Sequence, residues 1–135
     1  MRIHHIGYAV KDLENSIKEF EKLGYKRVKN KVIDKKRKVV IQFVENGECL
    51  IELIAPLNNE SPITNILKKQ GNSPYHICYE TDNINCEINK LINNEFAVIT
   101  QLSEAPALDN KKVVFLYKRN VGLIELLENE SQKLY

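Results

Sequence analysis

The tetrapeptide Leu50-Ile51-Glu52-Leu53 recurs unchanged as Leu123-Ile124-Glu125-Leu126, 73 residues further along the chain. The pair Val39-Val40 ahead of the first copy recurs as Val113-Val114 at an offset of 74. Working outward, HIGYAVKDLENSIKEFEKLGY from His5 overlays HICYETDNINCEINKLINNEF from His76 at an offset of 71, with Ile17 on Ile88, Phe20 on Leu91 and Tyr25 on Phe96. Offsets of 71, 74 and 73 in chain order describe one unit written twice, with small changes in loop length.

Each copy has the pattern of a β-α-β-β-β unit. Residues 3–10 alternate and are rich in β-formers, which predicts a strand. Asp12 is positioned as an N-cap, Leu13, Ile17, Phe20 and Leu23 form an apolar stripe at helical spacing, and Gly24 supplies the stop. Strands are expected near 25–31, 37–45 and 48–55. In the second copy the strand 75–81 precedes the cap Asn83 and the stripe Ile84, Ile88, Leu91 and Ile92, and strands follow near 96–101, 111–117 and 121–127. Pro62 suits the first turn of a short connector helix within 61–71. The expected organisation is one α+β domain over 1–135, with module 1 near 1–57 and module 2 near 74–128. Eight strands are predicted.

Composition narrows the function. With 43% hydrophobic and 28% charged residues the chain reads as globular and water-soluble, and no apolar run approaches the roughly 18 residues of a membrane span. No signal-peptide pattern opens the sequence, so a cytoplasmic location is expected. The odd count of three cysteines, none in a C-x-x-C arrangement, argues against a disulfide framework or a thiolate metal site. Net charge is only +2. Basic residues nevertheless crowd the segment from Lys26 to Lys38, Lys36 and Arg37 among them. Without interleaved aromatics this is no nucleic-acid surface; it reads as a guarded edge strand or as a landing place for a phosphate or carboxylate.

Four residues do not suit a plain core. Strand alternation places Glu52 with Leu50 and Ile54 on one face, and Ile51 and Leu53 on the other. A glutamate among aliphatic side chains is costly to bury without a partner. Glu125 repeats the anomaly at the equivalent place. His5 and His76 open equivalent strands, whereas His4 points to the opposite face from His5 and reads as structural or exposed. Two imidazoles and two carboxylates form a mixed nitrogen–oxygen donor set suited to Zn, Ni, Co, Mn or Fe as one divalent metal ion. Four protein ligands leave an octahedral ion open to water or substrate.

From His5-Ile-Gly-Tyr-Ala-Val-Lys-Asp to Gly122-Leu-Ile-Glu-Leu-Leu the chain resembles the vicinal-oxygen-chelate, or glyoxalase/bleomycin-resistance, superfamily. That resemblance implies two βαβββ modules forming an open, U-shaped mixed sheet of eight strands around a metal, with helices outside. It carries metal ligation onto His5, Glu52, His76 and Glu125. Glu52-Leu-Ile-Ala-Pro-Leu, His76-Ile-Cys-Tyr-Glu and the strand from Val113 are similar to the methylmalonyl-CoA epimerase branch. The histidine–glutamate–histidine–glutamate set is equally that of glyoxalase I (lactoylglutathione lyase). Some epimerases carry a further, non-ligand glutamate on the third strand of module 1. The stretch VVIQFV, residues 39–44, has Gln42 and no carboxylate.

What the resemblance implies is an isomerase or lyase that removes a proton beside a carbonyl, with Glu125 or Glu52 as the catalytic base. Its substrate would be a small thioester or thiol adduct, with Gln42, Lys36 and Arg37 as candidate substrate-binding residues. A homodimer is expected, with no nucleic-acid or membrane partner. The alternatives are a glyoxalase I acting on a methylglyoxal–thiol hemithioacetal, and a binding module of the bleomycin-resistance kind with no chemistry.

Overall fold

A computed structural model describes residues 1–129. The chain divides into two compact units, one of residues 5–75 and the other of residues 1–4 together with the chain from His76 onward. Among the described residues are nine strands and three α-helices.

The 5–75 unit contains β1 (Arg2–Ala9, entered from the other unit at His5), α1 (Leu13–Lys22), β2 (Lys26–Asp34), β3 (Val39–Asn46), β4 (Cys49–Pro56) and α2 (Ile63–Gln70). Strand order is β2-β3-β4-β1. β1 and β4 run parallel, and the other pairs are antiparallel. Asp12 caps α1 as expected, its carboxylate accepting the Asn15 N–H at 3.1 Å. The buried side of α1, Leu13 and Ile17, packs on Val10, Val44, Ile51, Leu53 and Ala55. One sheet face is thereby committed to the core. Leu23 leaves the predicted stripe: it caps the helix and is exposed. The chain reverses there through Gly24 at φ +98°, where a Cβ would meet the Asn46 amide at 3.2 Å.

The second unit repeats the plan with β5 (Ser73–Thr81), α3 (Ile84–Asn93), β6 (Ala97–Val98), β7 (Ser103–Ala105), β8 (Lys111–Lys118) and β9 (Gly122–Glu128). The order is β5-β9-β8-β6, with β7 also pairing β8 and with β5 and β9 parallel. Asn83 caps α3 through a 3.1 Å bond from the Cys86 N–H. Ile84 and Leu91 pack on Val114, Leu116, Ile124 and Leu126. Ile92, one helical step beyond Leu91, falls outside the buried stripe and is about half exposed.

The strand count is nine rather than eight because the expected strand 96–101 shortens to Ala97–Val98 and a separate short strand, Ser103–Ala105, forms beyond it. The N–H groups of Ile99 and Thr100 both reach the Phe115 carbonyl, at 2.8 and 3.4 Å, and Thr100 Oγ1 accepts the Phe115 N–H at 3.0 Å. Two residues thus answer to one, and pairing resumes only at Ser103. No described helix is long and apolar enough to cross a membrane.

Candidate functional site

In the first unit the register fixes which side chains meet. Gly7 lies beside Glu52 across the parallel β1–β4 pair, and Phe43 lies opposite Glu52 across the antiparallel β3–β4 pair. His5, two residues before Gly7, shares its face. Glu52 therefore points away from the α1 core, and the His5 Nε2 comes to 3.4 Å from its Oε1. Both residues are buried, at 1% and 5% exposure. The Phe43 ring meets the His5 ring edge-on, with centroids 5.3 Å apart.

The second unit builds the same arrangement independently. Cys78 lies beside Glu125 on β5–β9, and Phe115 lies opposite it on β8–β9. The His76 Nε2 is 3.2 Å from Glu125 Oε1. These two are also buried, at 3% and 4% exposure, and the Phe115 ring packs edge-on against His76 at 5.1 Å. Each unit thus encloses an imidazole–carboxylate pair in an apolar setting, with a small residue beside the glutamate and a phenylalanine bracing the histidine. Sequence pattern alone does not mark Gly7, Cys78, Phe43 or Phe115. The signal that finds them is their strand register against the two repeated glutamates.

The separations bear on metal binding. Two ligands each about 2.1 Å from one ion lie about 3.0 Å apart at a right angle and about 3.4 Å apart at a tetrahedral angle. The 3.4 and 3.2 Å pairs match the edges of such a polyhedron. Imidazole nitrogen with carboxylate oxygen is also the donor chemistry of borderline divalent ions.

The expected substrate-binding residues are placed differently. Gln42 pairs with Leu53 and so faces the α1 side, away from His5 and Glu52. It is buried, and its Nε2 donates to the carbonyls of Val28, Lys29 and Phe43 at 3.2, 3.0 and 3.0 Å. Those bonds tie down the irregularity in β2 between Val28 and Val32. The Gln42 amide serves the backbone on that side of the sheet. On the face that Glu52 uses, β3 offers Val39, Ile41 and Phe43, with no buried carboxylate among them.

Arg37 closes the β2–β3 turn on buried Asp34, its backbone N–H and guanidinium both donating at 3.0 Å. Lys36 lies exposed in the same turn. The basic segment is partly neutralised: Arg27 and Lys31 reach Glu14 at 3.0 and 3.6 Å, and Lys38 reaches Glu60 at 2.8 Å. That last contact holds the Glu60 carboxyl below the usual carboxylate range.

Two copies of a βαβββ unit, each enclosing a histidine–glutamate pair, define a class of protein. The family model for the glyoxalase/bleomycin resistance protein/dioxygenase superfamily matches residues 4–115, and the chain belongs to that superfamily. Within it, the chain is 33% identical over 130 residues to mitochondrial methylmalonyl-CoA epimerase of Homo sapiens, covering 93% of this chain and 72% of that protein. Among solved structures, a hypothetical protein from Bacillus halodurans C-125 superposes with a TM-score of 0.85 at 28% identity, over 99% of this chain and 98% of the other. A methylmalonyl-CoA epimerase in complex with methylmalonyl-CoA and NH4+ superposes with a TM-score of 0.83 at 19% identity, over 96% and 95% of the two chains. That last likeness is one of fold.

Proposed function

We propose that the two modules work as one domain in which His5, Glu52, His76 and Glu125 together hold one divalent ion, and that the protein epimerises a methylmalonyl-CoA-like acyl thioester. The observation that carries this reading is the duplicated buried pair: the same two donor types, at matching strand positions, 3.4 and 3.2 Å apart. Burying two glutamates in this way costs stability unless a cation repays it. The epimerase relative supplies the reaction class.

A divalent ion in such a site supplies a Lewis acid that stabilises negative charge on a carbonyl oxygen. The chain's own residues do the rest. Glu52 and Glu125 are the carboxylates that take the proton from the carbon beside the carbonyl and return it, and return to the opposite face gives the epimer. Each must reach within about 3 Å of that carbon's proton when it acts. Phe43 and Phe115 hold the imidazoles in orientation and keep water from the buried carboxylates.

A second reading is favoured by one observation. The β3 face beside Glu52 carries Val39, Ile41 and Phe43, so a base on this face has to come from the histidine–glutamate set itself. The same economy suits a glyoxalase I acting on a methylglyoxal–thiol hemithioacetal. Solvent deuterium exchange into methylmalonyl-CoA, run beside a hemithioacetal-consumption assay, separates the two. Exchange without hemithioacetal loss is the expected result. Inertness of the metal-loaded protein in both assays overturns the enzymatic reading.

A further inference from the structure

Behind the sheet of the 5–75 unit, an open cavity of about 450 Å³ lies between α1 and β1. That volume is within the range of small-molecule sites. Tyr8 and Phe20 form its apolar floor, and Lys11, Ser16, Lys18 and Asn72 stand around it. Tyr8 packs with the α1 core, whereas its neighbour Gly7 lies beside Glu52 on the other face. The cavity is therefore on the opposite side of the sheet from His5 and Glu52.

Two observations point to a ligand there. Ser16 is only 9% exposed, yet its hydroxyl makes no hydrogen bond among the described residues. A serine inside a helix commonly bonds back to the carbonyl one turn earlier. Here only the Ser16 backbone N–H reaches the Asp12 carbonyl, at 3.0 Å, and the hydroxyl is left to the cavity that the residue lines. The second observation is the sign of the charge. The carboxylates at the cavity are already engaged: Asp12 accepts the backbone and side-chain N–H groups of Asn15 at 3.1 and 2.8 Å, and Glu19 holds Lys22 at 3.0 Å. Lys11 and Lys18 have no carboxylate partner among the described residues. Two unspent ammonium groups thus stand over an aromatic floor. Tyr8, Phe20 and Tyr25 already meet edge-on in series, with centroids 5.2 and 5.3 Å apart, and a ligand ring can extend that series.

The duplication supplies a comparison within the same chain. At an offset of 71, Lys11, Ser16 and Lys18 are matched by Asp82, Glu87 and Asn89. Glu87 is the longer side chain and carries a buried Oε2. The second unit thus lacks both the cations and the small residue, while it keeps the tyrosine at Tyr79 and the helix cap at Asn83. Three differences in one sense mark the cavity as a property of the first unit rather than of the fold.

We propose that this cavity is a second small-molecule site, for a compact aromatic anion. The ring rests on Tyr8 and Phe20, the phosphate or carboxylate sits between Lys11 and Lys18, and the Ser16 hydroxyl donates to it. The site is separate from the histidine–glutamate pairs and does not rest on the thioester reading.

Titration of zinc-loaded, nitrogen-15-labelled protein with phenyl phosphate, benzoate and uncharged benzyl alcohol, followed by amide chemical shifts, tests this. At least one of the two anions should give saturable shifts over residues 8–22, and the tighter binder names the anionic group. Benzyl alcohol should bind at least about 10-fold more weakly. The K11M/K18M double variant should weaken anion binding by about 10-fold or more. S16E, which installs the second unit's residue, should fill the cavity and abolish the shifts. The lysine variant alters only exposed side chains, so it decides the matter if S16E fails to fold. No saturable shift with either anion overturns the proposal, as does an affinity unchanged in K11M/K18M or matched by benzyl alcohol. Shifts centred on Gly7, Phe43 and Glu52 would place the anion on the other face and overturn it too.

Discussion

Replacing Glu125 by glutamine tests the chemistry of the second pair, because the metal-free and the metal-loaded protein should respond differently. Without metal, Glu125 is a carboxylate 4% exposed, adjacent in sequence to buried Ile124 and Leu126, with His76 Nε2 at 3.2 Å. Glutamine keeps the shape and removes the charge. A carboxylate buried without the cation it is proposed to serve carries a desolvation penalty of about 1–3 kcal/mol or more, which the neutral amide lowers. For a chain of this size about 1 kcal/mol moves the melting temperature by roughly 3–5 °C, so the metal-free variant should melt higher by about 3–15 °C. With metal the variant's advantage shrinks by about 2.3 kcal/mol. At a concentration 100 times its Kd, a bound ion stabilises the parent by about 2.7 kcal/mol, a rise of roughly 10 °C. If losing one charged ligand weakens binding about 100-fold, the same concentration yields only about 0.4 kcal/mol, a rise of roughly 1–2 °C. Thermal melts in EDTA and in stepped zinc or nickel read both effects. A Glu125→Gln protein that melts lower in EDTA and keeps its full response to metal would show that Glu125 is a structural partner of His76 and no ligand. Glu52→Gln should behave alike in the first pair.

Other expectations follow from the fold. Gln42→Ala leaves the Val28 and Lys29 carbonyls without the amide that serves them and should cost about 2–3 kcal/mol, read by urea denaturation. A drop in substrate affinity without that loss of stability would return Gln42 to the binding machinery. Asp12→Ala and Asn83→Ala each remove a helix cap and should each cost about 1 kcal/mol, additively in the double variant because the caps serve separate helices. The Tyr25 hydroxyl donates to Cys49 Sγ at 3.7 Å, and that bond, aided by burial, raises its pKa above 10.0. The stabilisation is present below pH 10.0 and fades as pH climbs through the raised value; Cys49→Ala should bring the phenol's ultraviolet titration back toward 10.0.

The sequence carried the architecture because the repeat offered two independent tests of each inference. Asp12 and Asn83 were legible as caps, and Glu52 and Glu125 as misplaced charges, since a feature seen twice at one offset is hard to ascribe to chance. What escaped was whatever depends on the pairing of strands. The role of Gln42 turns on its pairing with Leu53, which sends it to the α1 side. Composition around it says nothing of that. The break between β6 and β7 arises from two N–H groups sharing the Phe115 carbonyl, a backbone event that an apolar run such as FAVIT conceals. Spacing places Leu23 and Ile92 in the stripes, yet each lies at the stripe's edge, where helix ends and surface curvature decide exposure.

The two modules differ in an ordered way. The triad of buried histidine, buried glutamate and bracing phenylalanine recurs in both, down to edge-on ring contacts at 5.3 and 5.1 Å. Around that triad the modules diverge: Gly7 against Cys78, Lys29 against Thr100, a continuous bulged strand against a broken one. Under the proposed function, ligation and proton transfer on two faces of one carbon ask for equivalent donors, and a triad kept unchanged through the duplication is what that reading expects.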